Sequence, residues 1–306
     1  MSPRSGVERF FGHCYYRFSR FMRLTVILTM PVTPRRLILN LLLGAEDRTL
    51  SAREAIAACA LLGSSDSSTR VALARLAVAG LLMTTARGCY TLGPAAQPLA
   101  MDVSAWRSAA PPVRDWCGDW IAVHAGALGR SDRAALRARE RAFALLGLAE
   151  FERGLHLRPD NLVGGVDALR ERLGRLVPDT GFNVFVARGF DPGRDAAARA
   201  LWDGAALDER YRSQARTLDG WDARTLSIEA AAREAFALGN QAIHERVFDP
   251  LLPAPLVDTD ARDAFFAAVR RFDATGQAIW QQFLSGVRAR APLSRARPAP
   301  TLETTP

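Results

Sequence analysis

The chain has 306 residues, 49% hydrophobic and 24% charged, which suits two or three globular domains with sizeable cores. Cys14, Cys59, Cys89 and Cys117 are scattered without a CxxC pair, which points away from a zinc site or disulfide framework and toward reduced thiols in a cytoplasmic protein. The net charge of +8 rests on arginine alone and is uneven: residues 1–100 hold 12 Arg against 5 acidic residues, the remainder 28 against 27, an asymmetry suited to nucleic acid.

Residues 1–30 are basic and aromatic with no cap and no clean period. They read as a disordered tail or as an upstream start, with Met22 and Met30 as alternative first residues. The apolar run 24–30 is far short of the roughly 20 residues that cross a bilayer, so no membrane span is expected, and a membrane partner is not read, an amphipathic membrane-surface helix being the competing reading of this tail. From residue 31 to 96 the pattern is that of a winged helix. Thr33 and Pro34 start a first helix that stops at Gly44, and Ser51 with Glu54 forms a capping box that opens a second, running to Gly63. A third helix begins near Asp66 or Ser67 and ends at Gly80. Two short strands, LLMTT and CYTLG, then flank a turn holding Arg87 and Gly88.

On the third helix, 100° per residue puts Thr69, Ala72, Leu73 and Leu76 on an inner stripe and Ser67, Val71, Ala74 and Val78 opposite, flanked by Arg70 and Arg75. A recognition helix offers its N-terminal residues to base edges. Ser67 and Ser68 can then bond bases or phosphates, Val71 and Ala74 can meet thymine methyls, and Arg70 and Arg75 can reach guanine or the backbone. Arg87 in the wing can meet phosphate or the adjacent minor groove, and Arg35 and Arg36 at the first helix add backbone contacts. The competing reading is that the outward apolar residues pack on another domain, as in a protein-docking module.

Residues 97–113 read as a linker. The stretch 114–192 suggests a small α/β sandwich with helices on one face of a sheet: a strand over 119–126, a helix over 131–148, FERGLHLRP as a second strand, a helix over 167–176 and a third strand over 182–190. Residues 193–288 carry only helical signals, broken by the turn DPLLPAPL, and 289–306 read as a disordered tail.

The helix STRVALARLAVAGLL with YTLG, the strand WCGDWIAV, the run RARERAFALLGLAEFERGLHLRPDNL, the segment LWDGAALDERY and the turn IHERVFDPLLPAPLV together resemble the PaaX family of bacterial transcriptional repressors, over residues 33 to about 285. The resemblance implies an α+β multidomain protein with an N-terminal winged helix-turn-helix, a central ferredoxin-like domain similar to Cas2 and a C-terminal all-α domain. It further implies a homodimer on double-stranded operator DNA, repressing aromatic catabolic genes of the phenylacetate type and released by phenylacetyl-CoA or a related acyl-CoA effector. The family usually has an aliphatic residue where this chain has Thr69, whose methyl can still be buried.

A CoA thioester needs cations for its phosphates and an apolar slot. Arg158, His244 and Arg246 are the candidates because they lie where the resemblance is strongest; the plainer reading of each is an ion-pair partner or a packed side chain. Neither a cofactor nor a metal is expected. A Cas2-like metal-dependent nuclease would need several converging carboxylates, and Asp119 alone is in place, so the chain is not read as an enzyme.

Overall fold

The computed structural model describes residues 33–44, 49–86, 88–96, 113–125, 133–177 and 181–290. Arg87, the N-terminal tail with Met22 and Met30, most of the expected linker and residues 291–306 lie outside the described residues. Two compact units emerge: residues 33–96 with 227–232 and 277–290 belong to one, residues 113–226 with 233–276 to the other.

The first unit opens with helix α1, Pro34–Gly44. Thr33 precedes it, and the Arg36 N–H reaches both the Thr33 carbonyl and its hydroxyl. Strand β1, Thr49–Ser51, leads directly into α2, Ala52–Leu61. The expected capping box is formed: the Ser51 side chain accepts from Glu54 N–H at 3.2 Å and the Glu54 carboxylate accepts from Ser51 N–H at 2.8 Å. Helix α3, Asp66–Val78, is capped by Ser65. It ends where Gly80 adopts φ +68 and the Leu81 N–H reaches back to the Leu76 carbonyl, a left-handed closure that glycine permits without strain. Strands β2, Leu82–Ala86, and β3, Cys89–Leu92, form the expected hairpin, and β1 adds to β3 to give an antiparallel sheet of order β1-β3-β2. The sequence reading missed β1, whose three residues are too few to show a period.

The second unit is built on strand β4, Trp120–His124; helix α4, Arg133–Leu145; strands β5, Ala149–Glu152, and β6, Leu155–Pro159; helix α5, Gly165–Leu176; and strand β7, Asn183–Ala187. The four strands form one antiparallel sheet of order β5-β6-β4-β7. Two corrections follow. FERGLHLRP is not one strand: it contributes to two, which turn back on each other at Gly154 (φ +79), where Glu150 Oε1 accepts the glycine N–H. Nor is the sheet covered on one face only. Ile121 and Val123 pack with Phe143, Leu146, Leu169 and Leu173 of the helical layer, while Trp120, Ala122 and Leu157 meet Ala198, Trp116 and Trp202 on the other side. That double burial explains why WIAV is an unbroken apolar run.

Helices α6, Pro192–Arg199, α7, Gly204–Asp219, α8, Ile228–Val247, and α9, Thr259–Ala289, follow. Within the second unit, Leu207, Tyr211, Leu218, Phe265, Phe266, Val269 and Phe272 form a core into which the DPLLP turn inserts Leu251 and Leu252. The described residues thus make a mixed α+β chain with two antiparallel sheets and a helical C-terminal region.

Candidate nucleic-acid interface

Helix α3 separates its faces as its periodicity predicts. Thr69, Leu73 and Leu76 are buried, and the Thr69 hydroxyl, whose burial would otherwise be costly, donates to the Ser65 carbonyl at 3.0 Å. The departure from an aliphatic residue at position 69 is therefore satisfied locally. Ser67, Ser68, Arg70, Val71, Ala74 and Arg75 are all exposed, and Val71 and Val78 stand 48% and 91% open to solvent. Apolar side chains left open in this way make a shallow ridge of low relief between two arginines. Val78 closes the expected stripe at the last turn of the helix.

The serines are more committed than the sequence suggests. Ser65 Oγ accepts the Ser68 N–H at 3.2 Å, Ser68 Oγ donates to the Ser65 carbonyl at 2.8 Å, and Ser67 Oγ lies 3.2 Å from Ser65 Oγ. Each retains acceptor capacity, but their first task is to close the helix start. Arg70 Nε donates to Asp66 Oδ1 at 3.1 Å, a pairing the sequence reading did not pick out although the spacing i, i+4 could have signalled it. Arg35 and Arg36 are exposed at the start of α1. Glu54, at the start of α2, is buried and paired with Arg288, so it adds little negative field outside.

The effector candidates are engaged in internal contacts. Arg158, on β6, is 1% exposed; its guanidinium donates to the carbonyls of Leu146 and Pro159 and to Asn161 Oδ1 at 3.0 Å, and burial pushes its pKa down to about 10. Asn161 in turn donates to the Leu251 carbonyl at 2.7 Å, tying this cation to the DPLLP turn. Arg246, at the end of α8, is buried over the Phe266 ring at 4.5 Å, with its pKa lowered to about 10 by desolvation and by Arg270. His244 is half-buried and stacks on Phe248 at 4.6 Å. A shallow groove lined by Leu218, Asp219, Trp221, Arg271, Phe272 and Thr275 holds none of the three. Asp119 pairs with Arg188 at 2.9 Å, and among the described residues no group of three or more His, Cys, Asp or Glu side chains converges as a metal site.

Residues 202–282, from the start of α7 into α9, match the family model described as the PaaX-like protein C-terminal domain. The chain carries a PaaX-like C-terminal domain. This bears out the PaaX resemblance drawn from the sequence, and the PaaX-like segment contains His244, Arg246 and the DPLLP turn. The fold is also similar to that of a solved structure, the uncharacterized protein Rv0674 from Mycobacterium tuberculosis, with a TM-score of 0.54 and 24% identity over 84% of this chain and 99% of that one. No curated protein matches the chain. No helix among the described residues is long and apolar enough to cross a membrane.

Proposed function

We propose that this chain is a PaaX-family transcriptional regulator that binds duplex DNA through α3 and is not an enzyme. The observation that carries the reading is the exposed face of α3, where Val71, Ala74 and Val78 lie open between Arg70 and Arg75 on a helix whose opposite side is closed by Thr69, Leu73 and Leu76. Small apolar side chains let a helix approach base edges and thymine methyls, and arginines on either rim reach guanine and phosphate. Three helices followed by a β hairpin support a winged helix-turn-helix over residues 31–96, with Arg35, Arg36 and Arg87 as backbone contacts and Ser67 and Ser68 at the groove. The order β-α-β-β-α-β with its strand sequence supports a ferredoxin-like central domain over 114–192. The helices over 193–288 agree with the PaaX-like match.

Fluorescence anisotropy with duplex enriched from a random library tests this. Affinity is expected to fall log-linearly with salt, with a slope of about −0.9 per phosphate neutralised. Arg70→Ala is expected to lose sequence preference, whereas Arg87→Ala weakens all sequences alike. Negligible affinity at low salt would favour a protein-docking module instead. A homodimer would set two copies of α3 about 34 Å apart on a two-fold operator. From the PaaX resemblance we further read the regulator as a repressor released by an acyl-CoA thioester such as phenylacetyl-CoA. Arg158, Arg246 and His244 would each have to exchange internal contacts for the ligand. A thermal-shift panel of acyl-CoA thioesters checks this, since a ligand of the folded state raises Tm.

A further inference from the structure

We propose that Asp66 is a positioning residue that holds Arg70 for guanine and thereby sets the base preference of α3. The inference rests on the reading of α3 as a DNA-binding helix and concerns how that helix chooses its sequence. Asp66 is the first residue of α3, and its Oδ1 accepts from Arg70 Nε at 3.1 Å with the two side chains 57% and 63% exposed. An exposed pair at this spacing adds little to helix stability, so its consequence lies in where it leaves the guanidinium. Three effects follow. The bond draws Arg70 one turn toward the helix N-terminus, the end a recognition helix presents to base edges. It occupies Nε and leaves the two terminal nitrogens as a fork, the donor pair that matches O6 and N7 of guanine. It also places a carboxylate beside the cation that repels phosphate, which disfavours the backbone contact an untethered arginine would otherwise take.

Arg75 provides the contrast within the same helix. Positions 71 and 72, a turn before it, are Val and Ala, and positions 78 and 79, a turn after it, are Val and Ala, so no carboxylate on α3 restrains it in this way. Arg75 is free to follow the phosphates while Arg70 reads a base.

Enrichment of randomised duplex DNA by the full-length protein, run in parallel for wild type, Asp66→Ala and Asp66→Glu, tests the assignment. Asp66→Ala is expected to lose about tenfold in discrimination at one G·C position per half-site, the scale of one bidentate pair. Its affinity for random duplex should stay equal or rise, since a negative charge near phosphate is removed. Asp66→Glu, which can remake the i, i+4 pair, should restore that position. If Asp66→Ala enriches the wild-type motif unchanged, or loses information evenly across all positions together with a lower Tm, the assignment is overturned. A wild-type protein that enriches no motif overturns the DNA reading itself, an outcome separate from the other two.

Discussion

At the residue scale, the charges with the greatest structural consequence are the buried ones around the DPLLP turn. Asp249 is buried; its carboxylate accepts the Tyr211 hydroxyl at 2.6 Å and the Leu251 N–H at 2.8 Å, and the latter bond holds Leu251 at φ +52. Burial pushes the Asp249 carboxyl above its ordinary value, only partly opposed by these bonds and by Arg262 and Arg210, and it pushes the Tyr211 hydroxyl up as well. A carboxyl raised in the folded state binds more protons there than in the unfolded chain, so this group's contribution to stability falls as pH rises from about 4 through the raised value. Urea unfolding across that range should show a negative slope that Asp249→Asn removes, with the difference between the two proteins isolating the group. None of this was visible in the sequence. Arg158 is similar: named as an effector candidate because it is a cation in a family-like segment, it turns out to satisfy main-chain carbonyls inside the fold.

At the scale of the element, local chemistry fixes where helices begin and end. The capping box of α2 and the glycine closure after α3 follow from side-chain hydrogen bonds and backbone freedom a few residues apart and are readable from sequence spacing, whereas the Ser65 cap of α3 stands just before the start near Asp66 or Ser67 that the spacing gave. Close approach between elements is not. Gly63 and Gly147 both end helices at positive φ, +82 and +68, but a Cβ on Gly63 would meet open space whereas one on Gly147 would stand 2.7 Å from the Pro250 carbonyl oxygen. Gly63→Ala should therefore cost about 1–2 kcal/mol of left-handed strain. Gly147→Ala adds an overpacking cost of about 1–3 kcal/mol, because the obstacle is backbone and cannot rotate aside. Urea midpoints of the two variants should differ in that order; equal midpoints would mean that the DPLLP turn yields easily.

For the whole molecule, the pair Arg288 with Glu54 joins residues 234 apart in sequence inside the first unit. Glu54 is buried and serves two partners at once, giving one oxygen to the Ser51 N–H of its own capping box and the other to Arg288 near the end of α9. Arg53 adds a bond to the Arg290 carbonyl at 2.9 Å. Arg288→Ala leaves a buried carboxylate oxygen without its cation, at a cost of about 1–3 kcal/mol. The loss should appear as faster hydrogen exchange at the Ser51 and Glu54 amides, because the capping box depends on that carboxylate's position. Unchanged exchange there would show that α2 holds its start without help from α9.

What the sequence determined by itself were features set over a few residues: the caps, the stops, and above all the two-sidedness of α3, where a 3.6-residue period separates Thr69, Leu73 and Leu76 from Val71, Ala74 and Arg75. Tertiary structure decided which polar groups are spent inside the protein. Asp249 takes its role from Tyr211, 38 positions away, Asn161 meets Leu251 across 90, and Glu54 finds Arg288 only once α9 has folded back to it. Spacing along a chain encodes the direction a side chain points, whereas desolvation and pairing depend on what arrives there from elsewhere.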